Sequence, residues 1–185
     1  AEIWKDSELI YDGMASPLRV IGYSDSFSGI VNLEELKQQV FTHNSRPDVE
    51  VYHCDLYYKV GENNWGFTAS RNWLNTLTPG DYRVELETVR ESGSMKVLEY
   101  TLPGETDDVI VINAHNCHAG QSNDDISGIV VGVEVLKRLS SLQSRRYTYR
   151  LVIAPEHFGT VFYLASHDQQ QVDEYVGGLF LETVG

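Results

Sequence analysis

Apolar segments alternate with helical patterns in the second half of the chain, and this alternation restricts the fold more than any other feature. The apolar segments predict strands at residues 96–102, 108–114, 147–154 and 176–184, and helical spacing predicts helices at 128–142 and 159–166. Two successive strand–helix–strand units are typical of a mainly parallel sheet with helices on both faces. We therefore predict an α/β fold, a three-layer sandwich whose sheet is mostly parallel or mixed.

The first half of the chain has a different pattern, in which short strands are separated by Gly, Pro and Asn. We predict strands at residues 3–4, 18–23, 49–60, 65–68 and 82–90. One helix follows Asn32, where Glu35 completes a capping box. A hairpin turn is predicted at residues 91–94. Residues 1–94 should form a small β-rich unit, appended or inserted, and residues 95–185 a partial α/β domain.

A polar loop joins the second predicted strand of the α/β domain to the helix that follows it. The loop contains the possible metal ligands His115, His118, Asp124 and Asp125. Histidine nitrogens and carboxylate oxygens are common zinc ligands, and α/β folds place their chemistry at the carboxyl ends of strands. Capping of the following helix by the two aspartates is the alternative explanation for part of this sequence.

Two further polar groups follow later strands of the same sheet. Glu156 and His157 come directly after the strand predicted at 147–154, and Glu182 lies in the last apolar segment. If these strands are parallel, their carboxyl ends share one edge of the sheet. The sequence therefore predicts that Glu156, His157 and Glu182 lie near His115.

The order of these residues resembles that of the co-catalytic zinc aminopeptidases, a family that includes the bacterial leucyl aminopeptidases and the glutamate carboxypeptidases. Residues 97–185 follow the family order, and the greatest similarity is to bacterial aminopeptidase-like proteins with a His-x-Cys-His loop followed by Asn-Asp. The matching pieces here are residues 115–118, 123–124, 147–150 and 155–156, with 55–58 and 65–67 in the first half.

This resemblance implies a zinc exopeptidase-like fold that binds one or two zinc ions and hydrolyses a peptide or amide bond with an activated water. It implies that the metal ligands are His115, Asp124, His157 and Glu182, and that Glu156 is the general base. Other residues expected to support the ligands are Cys117, where the family has an aspartate, together with His118 and Asp125.

The resemblance also implies a cis peptide bond after Asp124, the bridging aspartate. The family site takes a further histidine from beyond the position of Glu182, so we expect this chain to be part of a longer protein. Two other functions remain open. One is an inactive aminopeptidase-like binding module, and the other is a metal amidohydrolase that acts on a non-peptide substrate, such as a sugar-linked amide.

Composition limits the partners. The chain has 27 acidic and 14 basic residues and a formal charge of −13, which argues against nucleic acid and anionic membranes as partners. The resemblance, and not the charge, implies a peptide or small amide as the substrate. No apolar run approaches the ~20 residues of a membrane-spanning helix. The two cysteines, Cys54 and Cys117, favour reduced thiols and a cytoplasmic protein. Formation of a homo-oligomer is left open.

Overall fold

The computed structural model describes residues 1–54, 56, 61–118 and 120–185. The chain folds into two compact units, Ala1–Glu91 and Ser92–Gly185. The end of the strand predicted at 49–60, and most of the piece at 55–58 that resembles the aminopeptidase-like proteins, lie outside the described residues. Residues 49–54 form no strand.

The first unit is built on a four-stranded antiparallel sheet with the order β2-β1-β6-β3. Its strands are β1 (Glu2–Lys5), β2 (Glu8–Asp12), β3 (Phe27–Asn32) and β6 (Asp81–Leu86). A two-stranded parallel sheet joins β4 (Val40–Phe41) to β5 (Phe67–Thr68). The helical elements are a short 3₁₀ turn (Gly13–Ala15), α1 (Leu33–Gln38) and α2 (Arg71–Leu74).

Helix α1 confirms the capping box predicted at its start. The side chain of Asn32 accepts hydrogen bonds from the backbone N–H groups of Glu34 and Glu35, and Glu35 accepts one from the N–H of Asn32. These bonds satisfy donors that the first turn of a helix leaves unpaired. Leu33 and Leu36 then point into the core of the unit.

Two further predictions are wrong. Residues 18–23 do not form a strand, and a single bridge joins Val20 to Phe67. Tyr23, with a φ of 67°, leaves the extended conformation at the end of this segment. Residues 91–94 do not form a hairpin turn, because the strands on either side belong to different sheets.

The second unit contains a mixed sheet with the order β10-β8-β9-β7. Its strands are β7 (Leu98–Leu102), β8 (Val109–His115), β9 (Thr148–Ala154) and β10 (Tyr175–Phe180). Strands β10, β8 and β9 are parallel, and β7 is antiparallel to β9. The predicted α/β class and mixed sheet are therefore confirmed. The last strand is shorter than predicted, so that Glu182 lies two residues beyond it.

Helices cover the sheet of the second unit on both faces. They are α3 (Ser127–Ser140), α4 (Phe158–Ala165) and α5 (Gln169–Asp173). Leu136 of α3 packs with Ile112 and Leu151, whereas Thr160 of α4 hydrogen-bonds to Asn113, the next residue along β8. Because successive strand residues point to opposite faces, α3 and α4 lie on opposite sides. None of the helices described is long and apolar enough to cross a bilayer.

Candidate metal centre

The parallel strands of the second unit end at one edge of the sheet. His115, the last residue of β8, is paired with Ala154, the last residue of β9. On the other side of β8, the N–H of Leu181 donates to the carbonyl of Asn113, which extends the pairing just beyond β10. The segments that follow the three strands therefore start side by side, and they carry the candidate functional residues.

His115 is the buried centre of this edge, with only 3% of its side chain exposed. Its Nε2 lies 3.0 Å from Oδ1 of Asp124 and 3.2 Å from Oε1 of Glu182. Two oxygens of these carboxylates, Asp124 Oδ1 and Glu182 Oε2, are buried and accept no hydrogen bond from any described residue. Buried polar atoms normally have a partner, and a cation beside His115 would satisfy both oxygens.

Asp125 connects three segments of the chain behind this group. One carboxylate oxygen accepts a hydrogen bond from the N–H of His115 at 3.3 Å. The other accepts from Gly128 at 3.1 Å and from Thr183 at 3.3 Å. The Asp124–Asp125 peptide bond is cis, as the resemblance implied. Asp125 thus fixes the end of β8, the start of α3 and the segment that carries Glu182.

Gly128 is required for this arrangement because there is no room for a side chain. A Cβ atom at this position would lie 2.4 Å from each carboxylate oxygen of Asp125 and 2.4 Å from the carbonyl oxygen of Leu181. Such distances are far below van der Waals contact. The glycine allows α3 to begin directly against the Asp125 carboxylate.

A second group of donor atoms lies on the other side of the His115 ring. Cys117 Sγ is 3.8 Å from His115 Nδ1 and 3.5 Å from His118 Nδ1. His118 Nε2 is 3.4 Å from Oε2 of Glu156, and the N–H of Glu156 donates to Cys117 Sγ at 3.1 Å. Burial raises the pKa of the Cys117 thiol, and the nearby charges of Glu156 and Asp124 also raise it, against the opposing effect of the Glu156 N–H.

The candidate ligands therefore form two sets that share His115. In one set, donor atoms of His115, Asp125 and Glu182 lie within 4.8 Å of one another. In the other, donor atoms of His115, Cys117, His118 and Glu156 do so. Asp124 joins both regions, because its Oδ1 lies 3.0 Å from His115 and 3.9 Å from His118.

His157 is placed differently from the other predicted ligands. Its side chain is 80% exposed, and its Nε2 lies 3.0 Å from Oε1 of Glu156. It has a φ of 55° and directly precedes α4. The structure thus places His157 beside Glu156, the expected general base, and outside both sets of donor atoms.

The contact between Cys117 and Glu156 was not predicted from the sequence. The two residues are 39 positions apart and follow different strands, and only the pairing of β8 with β9 brings them together. The sequence indicates that each residue follows a strand of the same sheet, but this does not specify which side chains touch.

Comparisons with known proteins add to this geometry. A protein of Clostridium acetobutylicum named "Putative polysaccharide biosynthesis protein with aminopeptidase-like domain" is 31% identical over 178 residues, which are 96% of this chain and 40% of that protein. A crystal structure titled as a "putative peptidase" from the same organism has 28% identity and a TM-score of 0.85, and the match covers 100% of this chain and 43% of that one. The chain thus spans less than half the length of these relatives. Residues 18–185 match the family described as "Domain of unknown function (DUF4910)", and the chain belongs to that family.

Proposed function

We propose that the second unit contains a metal-dependent hydrolase site of the aminopeptidase type, which cleaves a peptide or small amide bond. The observation that carries this proposal is the pair of buried carboxylate oxygens, from Asp124 and Glu182, that accept no hydrogen bond from the described residues. Burial of such oxygens without a partner is unfavourable. A cation between them and His115 would offset this cost.

The residues at this position fit zinc. Bonds of about 2.0–2.2 Å to nitrogen and oxygen place neighbouring ligands of a tetrahedral ion about 3.3 Å apart. The observed separations of 3.0 Å and 3.2 Å from His115 Nε2 are close to that value. A bound zinc ion would supply Lewis acidity that polarises a carbonyl and lowers the pKa of a water molecule.

Glu156 is the proposed general base. It follows β9 at the same edge of the sheet, and its side chain is 33% exposed, so that a substrate can reach it. His118 contacts one of its carboxylate oxygens and His157 the other. We propose that this carboxylate takes a proton from the attacking water and returns it to the leaving amine. The role of His157 as a further zinc ligand, and the binding of a second zinc ion by it, stay predictions.

The names of the relatives support hydrolysis of an amide bond. One is called a peptidase, and the other has an aminopeptidase-like domain. The second name also refers to polysaccharide biosynthesis, which favours a sugar-linked amide as a second candidate substrate. Both reactions would use the same metal position and the same base.

Metal analysis combined with a Glu156→Gln variant tests the proposal. Wild type loaded with one equivalent of zinc should hydrolyse at least one member of a panel of aminoacyl amides, N-acyl amino acids and N-acyl amino sugars. Glu156→Gln should lower kcat by about 10²–10⁴-fold, because it removes the base but leaves the His115 position intact. Glu134→Gln, an exposed change on α3, is the matched control and should retain activity.

The possible outcomes separate the candidate functions. Full turnover by Glu156→Gln would show that the assignment of the base is wrong. Stoichiometric zinc without hydrolysis of any substrate would favour a binding module. The substrate that is cleaved distinguishes a peptidase from an enzyme that acts on sugar-linked amides.

A further inference from the structure

We infer that Cys117, His118 and Glu156 form a second cation position, distinct from the one proposed at His115, Asp124 and Glu182, with a thiolate among its ligands. Donor atoms of these three residues lie within 4.8 Å of one another and of His115. They come from the ends of two adjacent strands, β8 and β9, that are held in register. The cluster is therefore positioned by the sheet.

The distance between Cys117 and His118 suits a tetrahedral ion. A zinc–sulfur bond of about 2.3 Å and a zinc–nitrogen bond of about 2.0 Å separate the two ligand atoms by about 3.5 Å. Cys117 Sγ and His118 Nδ1 are 3.5 Å apart. The carboxylate of Glu156 lies beside the other nitrogen of the His118 ring, 3.4 Å from Nε2, and its ligand atom is within 4.8 Å of those of Cys117 and His118. Its side chain is 33% exposed, and a rotation of that side chain would bring the carboxylate to an ion held by Sγ and Nδ1.

The two cation positions lie at opposite nitrogens of the His115 ring. Its Nε2 faces the carboxylates of Asp124 and Glu182, whereas its Nδ1 faces Cys117. One imidazole thus separates a site rich in oxygen from a site that contains sulfur. This arrangement assigns a cation to the side of Cys117 and His118, at a position in which the exposed His157 takes no part.

The ligand types define the class of cation. Thiolate and imidazole favour zinc and similar borderline or soft divalent ions, whereas magnesium and calcium require oxygen ligands. As the metal–sulfur bond forms, the S–H bond of Cys117 breaks and its proton passes to the solvent. Glu156 would then be a metal ligand and unable to accept a proton, so a cation at this position would inhibit hydrolysis. This inhibitory effect rests on the proposed function, whereas the site itself does not.

Titration of the metal-free protein with Co²⁺, in the absence of oxygen, tests the inference directly. A cobalt–thiolate bond produces a charge-transfer absorption that cobalt bound to nitrogen and oxygen does not. Wild type should bind two cobalt ions, with the thiolate absorption accompanying one of them. Cys117→Ser should bind one ion and lose the absorption, whereas Cys54→Ser, the matched control at the other cysteine, should behave as wild type.

Three further variants make the result independent of any one substitution. His118→Gln should weaken binding of the ion that gives the thiolate absorption by at least tenfold, whereas His157→Gln should leave its affinity unchanged. Asp124→Asn should lose the other ion and retain the absorption. Absence of the thiolate absorption from wild type at saturating cobalt, or its persistence in Cys117→Ser, would overturn the inference. A thiolate absorption at saturating cobalt, in a protein that hydrolyses no substrate even when only the His115, Asp124 and Glu182 position is occupied, would support the site while refuting the proposed function.

Discussion

Two adjacent aspartates in the site, Asp124 and Asp125, have opposite environments. Asp125 is 1% exposed, and its carboxylate accepts backbone hydrogen bonds from His115, Gly128 and Thr183. Asp124 has a buried oxygen that accepts none from the described residues. Asp125 therefore contributes to the stability of the metal-free protein, and Asp124 is suited to binding a cation.

Replacement of each aspartate by asparagine should separate these two roles. Asp125→Asn should lower the free energy of unfolding of the metal-free protein by about 1–3 kcal/mol, because the new amide group cannot accept the hydrogen bonds that the carboxylate oxygen accepted. Asp124→Asn should leave this free energy unchanged or raise it slightly, yet reduce zinc affinity at least tenfold. Urea unfolding of the metal-free variants and zinc competition titrations provide the two measurements. Equal loss of stability in both variants would contradict the separation of roles.

The sequence allows the chemistry of these residues to be predicted better than their contacts. His115, Asp124 and Glu182 could be expected to meet, because parallel strands end at a common edge. The structure places Cys117 and His118 against Glu156, and this could not be predicted, since it depends on loop conformations after each strand. The exposure of His157 depends on the backbone turn before α4 and was not predicted either.

At the scale of elements, a polar network ties the strands of the second unit to α4. Tyr163 on α4 donates a hydrogen bond to Glu99 on β7, and Arg150 on β9 contacts both Glu99 and Tyr175 on β10. Partial burial raises the pKa of the Glu99 carboxyl, but hydrogen bonds from Tyr163 and Thr101 and the charge of Arg150 outweigh this and hold it below its usual value. The network therefore stabilises the ionised carboxylate.

A lowered pKa in the folded state makes stability depend on pH in a defined direction. The contribution of Glu99 should be complete above its unfolded pKa of about 4.3, and should be lost as the pH falls through the lower folded pKa. The stability difference between wild type and Glu99→Gln should thus be largest near neutral pH and shrink below about pH 4.3. Glu105→Gln, an exposed change in the same unit, is the control.

Circular dichroism and fluorescence can separate this effect from changes in the first unit. All three tryptophans, Trp4, Trp65 and Trp73, lie in the first unit, so their fluorescence reports its unfolding alone. Urea unfolding followed by circular dichroism at several pH values reports both units. A stability difference that did not change with pH would show that the Glu99 carboxylate is not stabilised by this network.

Elements with local signals were easier to predict than elements defined by distant partners. The start of α1 follows from Asn32 and Glu35, which are three residues apart and bond to each other. Strands β2 and β3 were not predicted, because they are held by pairing with β1 and β6. Residues 18–23 have the composition of a strand but pair with other segments only irregularly.

At the scale of the whole molecule, each unit has its own buried core. The first core includes Ile3, Phe67 and Tyr82, and the second includes Ile112 and Leu151. Residues 87–97 connect the last strand of the first unit to the first strand of the second and contain no regular secondary structure. Most of these residues are exposed, which favours protease access.

Limited proteolysis should therefore cut the chain between its units. We expect trypsin to cleave first after Lys96, which is exposed, and later after Arg90, which forms an ion pair with Asp25. Mass spectrometry of the early products should show fragments that end and begin at this position, and Lys96→Gln should delay their appearance. Initial cleavage within β8 or β9 would contradict the division of the chain into these units.

The sheet order explains why the α/β class could be predicted while the predicted hairpin turn between β6 and β7 is wrong. Repeated strand–helix–strand units are local enough to appear in the sequence, and they indicate parallel strands. The turn predicted at 91–94 assumed that neighbouring strands in the chain pair with each other, but β6 and β7 belong to different sheets. That two strands are neighbours in the sequence does not indicate whether they pair in the same sheet.

The pairing of β8 with β10 has a consequence for biosynthesis. His115 is translated 67 residues before Glu182, and β10 must reach its place beside β8 before both can hold the same ion. A nascent chain can fold its first unit while the second is still being made. At the position formed by His115, Asp124 and Glu182, zinc supplied during translation would then be captured only by chains that have left the ribosome far enough to complete the sheet.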